Sequence, residues 1–137
     1  MISPALNRIR SRLKGAAVVE LAILLPMLAL IFVAAVDFGR VFYYSVAVNN
    51  CARSGALYGS VDTAHAADQA GIQSAAQAEA PDLASSLTVS STNGTDSSGN
   101  PFVSVTVTYP FTTITNFPGI PSSATVERTA QMRVIPP

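Results

Sequence analysis

The chain has 137 residues, 49% of them apolar and only 12% charged, with eight basic and eight acidic side chains cancelling to zero. That length suits one ordinary domain, and the charged share is roughly half that of an average soluble domain. The charges are segregated: Arg8, Arg10, Arg12 and Lys14 precede any acid, whereas from Asp37 onward four arginines face seven carboxylates. A basic cluster that flanks an apolar stretch is not a nucleic-acid-binding face, and the pattern argues against a free cytosolic protein. The single Cys51 excludes an intrachain disulfide and a multi-cysteine metal site, and the single His65 excludes a His-pair site.

Residues 1–15 form the basic leader. From Ala16 to Val36 only Glu20 carries a charge. As a helix this segment spans about 31 Å, the thickness of a bilayer's hydrocarbon core, and it shows no polar stripe of the kind a soluble core helix carries. Residues 16–36 are therefore expected to be a transmembrane helix. The four leading cations place the N-terminus in the cytoplasm and the remainder outside. An ordinary secretory signal, cut near Val33-Ala34-Ala35, is the competing reading. It is opposed by an apolar run longer than the usual signal core of roughly 7–15 residues. Glu20 lies about 7 Å into the helix, where a carboxylate must stay near the interface, be protonated or find a cation. Pro26 removes one backbone N–H and predicts a kink or local loosening.

A basic leader ending in Gly15, small or apolar residues Ala16 to Val19, then Glu20 and a continuous apolar helix resembles a prepilin signal. The wider set KGAAVVELAILLP (14–26), DFGRVFY (37–43) and NNCARSGALYG (49–59) resembles the TadE-like family of the tight-adherence (Tad/Flp) pilus system, over roughly the first 60 residues. Leu21, Cys51, Ser54 and Leu57 depart from that family's common pattern. The resemblance implies a pseudopilin or minor pilin that takes part in assembling a type IV pilus of the Tad (Flp) class. It implies cutting between Gly15 and Ala16 by a prepilin peptidase, with Glu20 setting the register of stacked helices against a neighbour's new amine. The implied partners are that peptidase, other pilin or pseudopilin subunits of the Tad machinery, and membrane lipid. No nucleic acid, small-molecule substrate, cofactor or metal is implied, and no catalytic role. The implied location is the bacterial inner membrane, single-pass, with a surface pilus as a further destination.

The helix is expected to continue through residues 37–58. Phe38, Phe42, Tyr43 and Tyr44 would form an interfacial aromatic belt, Asp37 and Arg40 are spaced to pair on the helix, and Gly55 and Gly59 hint at close packing. A second helix is expected over about Thr63–Ala80, capped by Asp62 and ended by Pro81, with His65 as a surface or packing residue. From residue 81 the chain reads as a sheet region. Leu87-Thr88-Val89 is a short strand, Asn93–Asn100 a loop, and Phe102–Thr108 alternates with Val103, Val105 and Val107 on one face. A loop broken by Pro110, Pro118, Gly119 and Pro121 follows, and Thr125–Val134 alternates again. The expected fold is α+β and pilin-like: a long N-terminal helix, a second helix and a small antiparallel sheet burying one face on the helices. Three other functions fit less of the sequence. One is an unprocessed, membrane-anchored extracytoplasmic binding module, another an anchored enzyme, and the third a secreted domain. The enzyme reading lacks a phosphate loop, a paired-carboxylate cluster or metal-ligand spacing.

Overall fold

The structure, a computed structural model, describes residues 4–114 and 122–135, with residues 4–14 described by their backbone only. The breaker loop's Pro118, Gly119 and Pro121 lie outside the described residues. The chain divides into two compact units, residues 1–37 and 38–137. The described elements, in chain order, are α1 (Pro4–Gly59), α2 (Thr63–Ala67), α3 (Gln69–Ala78), a 3-10 turn (Ala84–Ser86), β1 (Thr88–Thr95), β2 (Pro101–Thr112) and β3 (Ser123–Arg133). The class is α+β, with a three-stranded antiparallel sheet in the order β1-β2-β3.

The outer unit is built on the C-terminal half of α1. Val48, Cys51, Ala52, Gly55, Ala56 and Gly59 recur at helical spacing and are all buried. Opposite them stand Val103, Val105 and Val107 of β2, each fully buried, with Ile72 and Ala76 of α3. The small residues of the stripe set how near the helix can come. A methyl group added at Gly55 would lie 3.2 Å from Val105 Cγ1 and 3.3 Å from Ala76 Cβ, and one at Gly59 would lie 3.1 Å from Val103 Cγ2. The glycine pair therefore serves close packing of α1 on the sheet and α3 inside the domain.

The expected second helix is two helices. Asp68 leaves helical geometry (φ −84°, ψ 83°) and separates α2 from α3. Its carboxylate accepts from the Gly71 N–H at 3.0 Å and from the Tyr58 hydroxyl at 2.9 Å, which caps α3 and ties it to α1. Asp62 caps α2 as expected, accepting from the His65 N–H at 2.7 Å. His65 Nδ1 also lies 2.8 Å from Asp62 Oδ1, and its ring meets Tyr58 edge-on at 4.9 Å. His65 is thus a packing residue with a carboxylate neighbour three positions away.

The strands run further than alternation indicates. β1 continues to Thr95, where Asn93 faces Val103 and Gly94 faces Phe102. The expected loop shrinks to a turn held by Asp96, whose side chain accepts from the N–H groups of Ser98 (2.9 Å) and Asn100 (2.8 Å), with Gly99 at φ +81°. β2 likewise passes through Pro110. Val134 N–H donates to Pro101 O at 2.9 Å and Thr113 N–H to Ser122 O at 3.1 Å, so the odd residues of β2 bond to β3 and the even ones point toward β1. The pairing of β1 stops at Thr88 opposite Thr108. The N–H that Pro110 lacks would have pointed where no strand remains, and the proline is tolerated there.

Two predictions follow from this packing. Ile72→Ala removes the one large aliphatic side chain of α3 from a fully buried site. It should destabilise the detergent-solubilised chain by about 2–5 kcal/mol in urea unfolding followed by circular dichroism. The second concerns acid. N–H donors from His65, Gly71 and Asn100 hold the carboxyls of Asp62, Asp68 and Asp96 below the usual range. Folded values below an unfolded value of about 3.9 give stability that is present above that pH and lost as pH falls through the folded values. Melting temperature should accordingly hold between about pH 7 and 5 and drop below about pH 4, and a flat profile through pH 3 would contradict these caps.

Candidate functional site: the processing and packing segment

Gly15, Ala16, Glu20 and Pro26 all lie within α1, which runs on through both Gly15 and Pro26. Nothing approaches within 4 Å of the place a Cβ would take on Gly15. No packing contact in the described structure thus requires a glycine there. Ala16 and Glu20 are exposed and four residues apart, which places them on one helix face about 6 Å apart along the axis.

Within α1, one stretch is long and apolar enough to cross a membrane, with a mean hydropathy of 2.6 and none of it buried. Val18, Leu21, Leu24, Leu25 and Leu28, which share one broad face, are all exposed, but so are Val19, Ile23 and Met27 on the other faces. The helix is apolar all round, as a segment surrounded by lipid or by other apolar helices must be. Uncovered side chains on every face are costly in water, so this surface calls for an apolar surrounding.

Of the expected aromatic belt, Phe38, Phe42 and Tyr43 are exposed, but Tyr44 is not part of it. Tyr44 is half-buried, with its ring centroid 4.8 Å from that of Tyr109 and 5.6 Å from that of Phe111. The Arg40 guanidinium lies 5.1 Å from the centroid of the fully buried Phe111 and 6.0 Å from that of Tyr44. Arg40 Nη1 is also within 3.5 Å of Thr112 O. Arg40 therefore closes the end of the sheet by a cation–π contact, a role beyond its spacing to Asp37. The matching feature in sequence is a tyrosine one turn after an arginine, which a membrane belt and a domain core share equally.

Cys51 is fully buried in the core. A thiol there is withdrawn from pairing with another chain while the domain is folded. Maleimide should label Cys51 at least ten-fold more slowly in the native chain than in urea, and equal rates would show that the core is open.

Among the described residues no group of three or more His, Cys, Asp or Glu side chains is placed to hold a metal ion. No curated protein and no solved structure matches the chain. Residues 15–57 match the model of the family described as TadE-like protein, a span that opens on Gly15 and closes at Leu57, before α2 and the sheet. The matched residues carry Gly15, Glu20, Pro26 and the small-residue stripe of α1 as far as Ala56.

Proposed function

We propose that the chain is a pseudopilin or minor pilin of a Tad (Flp) pilus, made as a prepilin, cut after Gly15 by a prepilin peptidase and used in pilus assembly. The observation that carries this reading is the TadE-like match opening on Gly15, with Glu20 fifth in the mature chain. Gly15 has no side chain to obstruct a protease and no neighbour that needs it. Cutting there removes all four leading cations and leaves an amine on Ala16 at the start of an apolar helix.

The work proposed is packing, with no catalytic role. In a bundle of such helices, Glu20 is costly unless paired, because a carboxylate in hydrocarbon loses its hydration. The Ala16 amine of a neighbouring copy, shifted by about one turn, supplies the missing charge and fixes the stagger. The outer unit then stays outside the membrane and faces other subunits.

The test is intact mass and pilus formation together, in cells that hold the native processing machinery. The wild-type chain should begin at Ala16, and Gly15→Leu should leave it uncut. Glu20→Ala should be inserted yet form no pili. A chain that stays uncut beside an active peptidase would overturn the reading in favour of a fixed anchor bearing a binding module. A chain starting near Val36 would make it a secreted domain. Normal piliation with Glu20→Ala would remove the register role.

A further inference from the structure

Two grooves lie on opposite flanks of the outer part of α1. At about 100° per residue, Tyr43, Ala47 and Asn50 fall to one side of the buried stripe, and Phe38, Phe42 and Asn49 fall to the other. The first groove, about 610 Å³, is walled by the connector after α3 and by Tyr109 of β2, and it bears the carboxylates of Glu79 and Asp82. The second, about 350 Å³, is walled by β3 and bears Arg128. Among the described residues no basic side chain lines the first groove and no acidic one lines the second.

We propose that the outer unit binds a second copy of this chain head to tail, the Phe38/Phe42/Arg128 flank of one copy seating in the Tyr43/Glu79/Asp82 groove of the next. Charge complementarity selects this occupant. Arg128 is exposed, and the one hydrogen bond of its guanidinium among the described residues is to the carbonyl of Glu127 at 2.8 Å, readily exchanged for a carboxylate. Asp82 and Glu79 are exposed, and neither makes an ion pair among the described residues. Arg53 lies beside Glu79 in an adjoining groove, so Asp82 is the cleaner partner for an incoming guanidinium. Tyr43, Tyr44 and Tyr109 line the receiving groove and add aromatic surface to it. Phe38 and Phe42, 76% and 66% exposed, supply the apolar area that the contact buries.

The two patches differ, so the contact is heterologous and repeats from copy to copy without using itself up. A rotation about an axis along α1 carries one flank to the other and keeps every α1 pointing the same way, as chains anchored in one membrane must. The competing surface is the outer edge of β3. There the backbone groups of Ser123, Thr125, Glu127, Thr129, Gln131 and Arg133 point away from β2 and have no strand beside them among the described residues. Antiparallel pairing of two such edges needs a two-fold axis normal to the sheet. That axis would reverse α1 between the copies.

The inference rests on the reading of the chain as a subunit of an assembly, but its test is separate from the processing at Gly15. Full-length chains carrying Ala80→Cys in the first groove, Asn49→Cys in the second, or both, with Asp82 and Arg128 left in place, are expressed in cells with the native machinery, and the isolated membranes are oxidised. The double variant should give a ladder of dimers and higher multimers. Each single variant should stay monomeric, and co-expressed single variants should stop at two-chain products. Wild-type chain, with only the buried Cys51, is the control for background. Absence of products joining positions 80 and 49 would overturn the proposal, as would dimers of a Thr129→Cys chain formed in place of that ladder. The chain's mass, read in the same sample, reports cutting after Gly15 independently, so either idea can fail while the other stands.

Discussion

The approach of α1 to the sheet at Gly55 and Gly59 is the constraint on which the outer unit depends. Side-chain atoms of Val103, Val105 and Ile72 stand where a larger residue's Cβ would press upon them. Glycine and alanine in a helix lower its bulk, and the valines of β2 fill the space they leave. Dispersion and the exclusion of water then act over a tight interface, without long side chains whose ordering would oppose folding. The Asp68 carboxylate belongs to the same arrangement. By capping α3 and accepting from Tyr58, it fixes where Ile72 and Ala76 meet the glycine pair.

One helix meets two chemically different demands in its two halves. From Leu21 to Val36 it is built from leucine, isoleucine, methionine, valine, phenylalanine and alanine around Pro26 with no polar face, suited to an apolar surrounding on all sides. After Phe38 the buried residues narrow to one stripe of mostly small side chains, while Asn49, Asn50, Arg53 and Ser54 share the other faces with Phe42, Tyr43, Val46 and Leu57. The change in pattern falls where the chain divides into its two units. The TadE-like match, residues 15–57, takes in parts of both halves of the helix and stops before α2 and the sheet.

How much was legible in the sequence follows from where the signal lies. The alternation of Val103, Val105 and Val107 gave a central strand because one face of it is wholly buried. The far half of β1 gave none, since both faces of Thr92 to Thr95 are exposed and no hydrophobic period can appear. Pro110 reads as a breaker in isolation. Its place in β2 depends on β1 having ended, a fact of pairing that the local sequence does not carry. The break at Asp68 is hidden in an alanine-rich run, where Asp68 is no poorer a helix former than Thr63 or His65 and a better one than Gly71, which lies inside α3. Gly15, Glu20 and Pro26 were legible as a spaced motif, whereas the two grooves were not. Asp82, Tyr109 and Arg128 come together with α1 only through the fold.

The core also has a consequence in time. It joins Val48 of α1 to Val134 just past β3, and Ile135 N–H donates to Ser60 O at 3.0 Å. Its contacts connect residues from opposite ends of the outer unit, and such non-local closure is slow compared with local helix formation. During synthesis α1 can form while the sheet is still incomplete, and the valines of β2 wait for β3 to pair with them. The unit of residues 38–137 thus acquires its tertiary structure late, after the helix on which it is built.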